Sequence, residues 1–144
     1  MIADLLIIAG LTSLAFSIVV VTSWRVRPTS WAQDLGVDTD DQVGPLVTGS
    51  LITLILFGGA LGGAAVGESL FTSFVGAWAV VAFVGLVDLL VVDSLIHLVL
   101  RPSWMWIGGV DDVDFQFHLQ SFWVSLVVAL PVAGLAVAMV TAVR

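Results

Sequence analysis

Residues 70–100 read LFTSFVGAWAVVAFVGLVDLLVVDSLIHLVL, and this stretch decides the fold class. It is apolar apart from a few positions, among them Asp88, Asp93 and His97. A helix that crosses the ~30 Å hydrocarbon core of a bilayer needs about 20 apolar residues. About 30 residues at 1.5 Å each span roughly 45 Å, so this helix must tilt or project beyond the bilayer at one end. The stretch therefore predicts a transmembrane helix.

Three further apolar runs lie on either side of this stretch along the chain. They are continuous rather than alternating between apolar and polar residues, so they fit helices and not the strands of a membrane barrel. The length of 144 residues allows one domain. We therefore predict an all-α fold, a single transmembrane domain over residues 1–144, with four helices at about residues 5–22, 45–66, 70–100 and 118–143.

The composition agrees with a membrane location. Hydrophobic residues make up 60% of the chain and charged residues only 10%, whereas an average soluble domain carries about a quarter charged residues. Such a chain has too little polar surface to stay soluble as a monomer. We expect a multi-pass protein of the cell membrane whose first partner is the lipid bilayer.

The charges exclude one class of partner and indicate a salty environment. Four basic residues, all arginine, stand against eleven acidic ones, for a net charge of −7. Nucleic acid is excluded, because it needs a basic surface. Acidic loops are typical of a salt-adapted organism, since salt screens their mutual repulsion. The chain has no cysteine, which excludes disulfides, thiolate metal sites and covalently attached haem.

The arginines predict the orientation. Arg25, Arg27 and Arg101 fall in the two longer loops, and Arg144 lies at the other side of the membrane. Cytoplasmic loops carry the excess of basic residues, and acidic residues count little. Both long loops are therefore predicted to be cytoplasmic, with both termini outside. Four tryptophans cluster on the same side, as an interfacial aromatic belt would: Trp24, Trp31, Trp104 and Trp106.

The second span contains a strip of small residues, GGALGGAAVG at residues 58–67. Glycines four apart make a flat surface that lets a second helix come close. The strip gives three such pairs from Gly58, Gly59, Gly62, Gly63 and Gly67. It predicts a close helix contact, either within the bundle or between subunits of a homo-oligomer or with another membrane subunit.

Ionisable residues inside the third span are the strongest functional signal, because such groups are costly in hydrocarbon and tend to be functional. At about 100° per residue, Asp93, His97 and Arg101 form one slanting stripe, whereas Asp88 points about 140° away from Asp93. If Arg101 marks the cytoplasmic boundary, Asp93 lies about 12 Å deep and Asp88 about 20 Å deep. Asp88 then needs a hydroxyl partner from another helix, or it stays protonated.

The fourth span begins with further polar residues, His118 and Gln120. A short loop makes spans 3 and 4 antiparallel neighbours, so these residues could meet Asp93, His97 and Arg101 at the cytoplasmic side. Three interpretations stay open. The cluster is a polar clasp that fastens two helices, a proton or cation site, or a metal or haem site built on His97 and His118.

These interpretations correspond to three classes of protein. A cation- or proton-handling membrane subunit agrees best with buried acids and glycine strips. A structural or accessory membrane protein needs the cluster only as a fastening. A membrane enzyme or redox protein is the least favoured, because the sequence contains no nucleophile–base pair, phosphate loop or complete metal set. No cofactor is predicted.

Part of the chain resembles a known family. Asp93, Arg101-Pro102, Ile107-Gly108-Gly109 and Phe115-Gln116-Phe117-His118 follow the pattern of an uncharacterised family of small four-span prokaryotic membrane proteins. The resemblance covers about a fifth of the chain. It implies a four-helix fold and no particular activity, and a site shared by the family would use Asp93, Arg101 and His118. Gly108, Ser94 and His97 depart from the pattern, which has a proline, a tryptophan and an uncharged residue there.

Overall fold

The protein is a bundle of long helices. The computed structural model describes residues 1–26, 43–100 and 115–144. In chain order these contain α1 (Ile2–Val26), α2 (Val43–Val66), α3 (Leu70–Val87), a π-helical segment that continues α3 (Asp88–Leu100), and α4 (Phe115–Val143).

Four of these helical stretches are long and apolar enough to cross a membrane: Ile2–Thr22, Gly49–Val66, Leu70–Leu95 and His118–Val143. They agree closely with the four predicted spans, and the all-α prediction is confirmed. Many large apolar side chains on the outside of the bundle are exposed, among them Leu54, Phe71 and Val127. Such a surface is suited to lipid, which solvates these side chains as well as a protein core does.

The helices are arranged around a central pair. α2 and α3 contact each other, and both contact α1 and α4. Within the described residues, α1 and α4 do not contact each other, so they lie on opposite sides of the central pair. The π segment contacts both α1 and α4. It therefore forms the part of the third span that lies between the two outer helices, α1 and α4.

Small residues let the central pair approach closely. A Cβ atom at Gly63 would lie 2.5 Å from the carbonyl oxygen of Gly76 in α3. Around this contact the core is built largely from alanine and valine, including Ala60, Ala64 and Ala77. Backbones that come so close gain dispersion and weak hydrogen-bond energy, which replaces the hydrophobic effect inside a membrane.

The other glycines of the strip differ in their surroundings. A Cβ atom at Gly59 would meet Thr12 of α1, and one at Gly62 would lie 3.1 Å from Ile8. At Gly67 it would collide with the backbone of Ser73. A Cβ atom at Gly58 would have nothing within 4 Å among the described residues, so Gly58 takes no part in a contact inside the bundle, and its contact with another subunit stays a prediction.

The turn between α2 and α3 is short and fixed. Ser69 is the N-cap of α3, where its side chain accepts a hydrogen bond from the Thr72 backbone N–H at 3.2 Å. The Ser69 N–H donates in return to the Thr72 hydroxyl at 2.9 Å. This reciprocal pair satisfies two donors that a helix start leaves free. It fixes the residue at which α3 begins.

A tryptophan fixes α3 against α4. The indole Nε1–H of Trp78 donates to the backbone oxygen of Leu126 at 3.2 Å. Leu126 lies next to Ser125 and five residues before Pro131, the proline inside α4. An indole N–H inside a membrane needs an acceptor, so the bond specifies the relative height of the two helices just above the candidate site.

Candidate functional site

The site is built around a contact between the π segment and α4. The Nδ1 atom of His118 lies 2.9 Å from Oδ2 of Asp93, where the imidazole N–H donates to the carboxylate. Their side chains are only 10% and 15% exposed. The sequence predicted that Asp93 and His118 belong to one network, and the structure brings them together. The short distance and the burial make this a strong, charge-assisted contact when both groups are ionised.

The helix type changes the position of Asp88. Residues 88–100 form a π-helix, in which backbone bonds join residues five apart. The Ser94 hydroxyl follows the same spacing, because it donates to the Leu89 carbonyl at 2.6 Å. In this register residues five apart lie roughly one turn above each other. Asp88 and Asp93 therefore share a side of the helix, and the prediction that Asp88 points away from Asp93 is wrong, since it assumed α-helical spacing.

Both acids line one cavity of about 120 Å³. Its polar walls come from the π segment and α4: Asp88, Asp93, His118, Ser121 and Ser125. Its apolar walls include residues of all the other helices: Phe16, Leu56, Val81, Val84, Gly85, Leu89 and Phe122. The cavity therefore lies inside the bundle and is lined by residues of all four spans.

Asp88 lies five residues before Asp93 in the third span, and the sequence predicts that it is the deeper of the two acids in the membrane. Among the described residues, its Oδ1 atom is buried and has no hydrogen-bond partner. The sequence suggested hydroxyl groups of other helices as partners. Two of these, on Thr12 and Thr53, instead donate to carbonyls of their own helices. A buried carboxyl oxygen without a partner is costly. A proton, a water molecule or a cation in the cavity would remove that cost.

Gly85 makes room for α4 beside this acid. A Cβ atom at Gly85 would lie 3.2 Å from the Ser125 hydroxyl and 3.5 Å from the ring of Phe122. The Ser125 hydroxyl donates to the Phe122 carbonyl at 2.7 Å, so its oxygen keeps lone pairs for another donor. The glycine thus lets a hydroxyl-bearing face of α4 come close to Asp88.

The other predicted site residues are placed as follows. Gln120 is exposed and does not line the cavity. It stands two residues after His118, about 200° round an α-helix, so it does not share the cavity with His118, and its contact with His97 and Arg101 stays a prediction. The backbone of His97 lies in the π segment, whereas the roles predicted for its side chain and for Arg101 lie outside the part of the molecule that the structure describes.

Two serines of the site were missed in the sequence. Ser121 and Ser125 follow His118 by three and seven residues. This is the spacing of one face of an α-helix, so the pattern His-x-x-Ser-x-x-x-Ser could have indicated a polar face directed at the third span. Serine is common in membrane helices, where its hydroxyl usually bonds to its own backbone, and the signal is weak for that reason.

The arrangement is suited to holding positive charge. Two carboxyl groups and an imidazole are the side chains that take up and release protons most readily, and carboxylate and hydroxyl oxygens are also ligands for hard cations. Within the described ranges, no group of three or more histidine, cysteine or acidic side chains is arranged to hold a metal ion. The metal or haem site on His97 and His118 stays a prediction.

No protein-family model matches the chain, and the comparisons with curated proteins and with solved structures found no match. The resemblance of residues 93–118 to the small four-span family therefore stays a prediction.

Proposed function

We propose that this protein handles protons or small cations in the membrane, and that the cavity between the π segment and α4 is its working site. The observation that carries the proposal is the placement of Asp88, Asp93 and His118 on the walls of one cavity inside the bundle. Ionisable groups at membrane depth are expensive to keep and mark ion or proton pathways. A contact between two helices requires one such pair, whereas here three ionisable side chains line one cavity.

The geometry supports a transfer between two positions. The Asp93–His118 pair can accept or release a proton while both partners stay hydrogen-bonded. Asp88 lies about one helical turn away on the same side of the π segment and lines the same cavity. A cation that enters at the pair could therefore move on to Asp88 without leaving the cavity.

The test is ion flux in reconstituted vesicles. Proteoliposomes containing the purified protein and a pH-sensitive dye inside should acidify faster than empty vesicles when an outside acid pulse is applied under a potassium–valinomycin clamp. Asp93→Asn and Asp88→Asn should each abolish most of the protein-dependent rate, because an amide cannot bind a proton in this range. A second assay with external sodium or potassium and an ion-specific dye extends the test to metal cations.

Asp4→Asn is the matched control. Asp4 is also an aspartate on a spanning helix, but it is exposed and paired with the N-terminal ammonium at 2.7 Å. Its amide variant should keep the full rate. Wild-type protein that raises neither the proton rate nor the sodium or potassium rate above that of empty vesicles would contradict the proposal.

A polar clasp is the second candidate function, and the 2.9 Å contact of Asp93 with His118 is the observation that favours it. In that case the pair only fastens α4 to the third span. Asp93→Asn would then lower the stability modestly, by about 1 kcal/mol, since an amide still accepts the imidazole N–H. Asp88→Asn would have little effect on stability, because Asp88 takes no part in this contact.

We further propose that both long loops face the cytoplasm and both termini face outside. The support is the arginine distribution, with Arg25, Arg27 and Arg101 on one side. The short turn that joins α2 and α3 then faces outside together with the start of α1 and the end of α4.

A further inference from the structure

The cavity differs in composition from a site for a bare metal ion. Its polar atoms are concentrated on the third and fourth spans, and the remaining walls are carbon, including the rings of Phe16 and Phe122. A hard cation such as Ca²⁺ is surrounded by six to eight oxygen ligands. An organic cation instead places its charged end against acids and its carbon against apolar or aromatic walls.

We infer that the cavity binds a small organic cation of the amidinium or guanidinium type, with its N–H groups on Asp88 and its carbon against the apolar wall. This inference rests on the proposed function, because it names the cation class that the same site takes. The Oδ1 atom of Asp88 is buried and, among the described residues, lacks a hydrogen-bond donor. A planar cation with forked N–H groups supplies donors to both oxygens of one carboxylate.

The size of the cavity agrees with such a ligand. One water molecule needs about 10–15 Å³ of cavity volume. The cavity of about 120 Å³ therefore holds several waters or one cation of four or five non-hydrogen atoms. Larger cations with long alkyl or several aromatic groups are too big. The hydroxyls of Ser121 and Ser125 line the same space and can accept the N–H groups that do not face Asp88.

The cavity also has an opening through which a ligand can enter. Ser121 is exposed and also lines the cavity. The cavity therefore reaches the surface of the bundle beside the first turns of α4. A cation held by phosphate groups at the membrane surface would pass Ser121 before it reaches Asp88.

The experiment compares acetamidinium with acetamide, which have nearly the same shape and differ in charge. Millimolar acetamidinium chloride should raise the Tm of the detergent-solubilised protein in a saturable way, by about 9 °C at a hundredfold excess over Kd. Acetamide should not raise it, and sodium chloride at equal ionic strength should not either. An equal rise with acetamide would overturn the inference, and so would an equal rise with sodium. No response to acetamidinium would overturn it as well.

A variant pair locates the binding. Asp88→Asn should lose the acetamidinium response, whereas Asp4→Asn, which removes an exposed acid, should keep it. A full response in folded Asp88→Asn would contradict the assignment to this cavity. If Asp88→Asn does not fold, the comparison of the three solutes on the unaltered protein still decides whether an organic cation binds.

The outcome is separable from that of the proposed function. The same preparation is reconstituted and its ion flux is measured without any organic cation. Flux that persists with no acetamidinium response contradicts only the ligand class. An acetamidinium response without any proton, sodium or potassium flux supports the binding site and contradicts the handling of those ions.

Discussion

Gly58 and Gly63 belong to the same helix and the same sequence strip, but the surrounding structure gives them opposite roles. A methyl group at Gly63 would lie 2.5 Å from the Gly76 backbone oxygen, and backbone cannot move aside as a flexible side chain can. We expect Gly63→Ala to destabilise the protein by about 2 kcal/mol, which is typical of overpacking. Gly58→Ala should be neutral or slightly stabilising, because Gly58 faces open space and alanine favours the helix.

The measurement is the unfolding midpoint of each variant in a fixed detergent mixture, followed by circular dichroism. Gly58→Ala serves as the control, since both variants add the same atom to the same helix. Equal midpoints for the two variants would show that the helices do not approach at Gly63 as the structure has them.

Single residues of the site were predictable to different degrees. Asp93 and His118 were accessible from the sequence, because a buried charge needs a partner and both lie near the same depth. Gln120 does not line the cavity, because polarity alone does not tell which side of a helix a residue occupies. Ser121 and Ser125 were missed, because a serine that can satisfy itself on its own helix gives little signal.

At the scale of the elements, the π segment makes a prediction that an α-helix cannot meet. Five residues of α-helix rise about 7.5 Å, which already exceeds the ~7 Å Cα separation that a disulfide tolerates. A π-helix bonds residues five apart and brings them closer. The double variant Leu90→Cys with Leu95→Cys should therefore form an intrahelical disulfide when treated with a membrane-permeant oxidant, in a chain that has no other cysteine.

The matched control pair is Trp123→Cys with Val128→Cys. These residues are also five apart and exposed, but they lie in the α-helical part of α4. Mass tagging of free thiols after oxidation measures the yield. The control pair should keep both thiols free, and a similar yield from both pairs would mean that residues 88–100 are not π-helical.

The spans themselves were predictable, and the π register was not. Continuous apolar runs about 20 residues long can satisfy their backbone inside a membrane only as helices, so length and hydropathy determined all four. Hydropathy does not tell whether a carbonyl bonds four or five residues ahead. Asp88 was misplaced for this reason: a change of helix type turns its side chain back toward Asp93 without altering a single residue of the pattern.

At the scale of the whole molecule, the proposed orientation can be tested with single cysteines. Thr39→Cys and Val110→Cys lie in the two segments predicted to be cytoplasmic, and Glu68→Cys lies in the turn between α2 and α3, where Glu68 is exposed. An impermeant maleimide added to intact cells should label Glu68→Cys and leave the other two unlabelled until the cells are broken. Labelling of both loop cysteines in intact cells would reverse the orientation.

The arrangement of the helices was less accessible than their number. The glycine strip correctly indicated that α2 is a helix others approach closely, yet the sequence did not show that α3 and α1 are its neighbours there. Nor did it show that α1 and α4 stay apart within the described residues. Small residues on one helix can pack against small residues on almost any other helix. Which helices become neighbours therefore depends on the combined fit of all four.

The short turn between α2 and α3 has a consequence for the order of assembly. Only residues 67–69 separate the two helices, so they leave the ribosome and enter the bilayer almost together. Closing so short a loop costs little chain entropy, and neighbouring contacts form first. The hairpin is then a template on which α1 and α4 dock from opposite sides. Asp88 and Asp93 precede His118 by 30 and 25 residues, so they reach the bilayer before α4 does, and the nascent chain must carry these acids in protonated or hydrated form until α4 arrives.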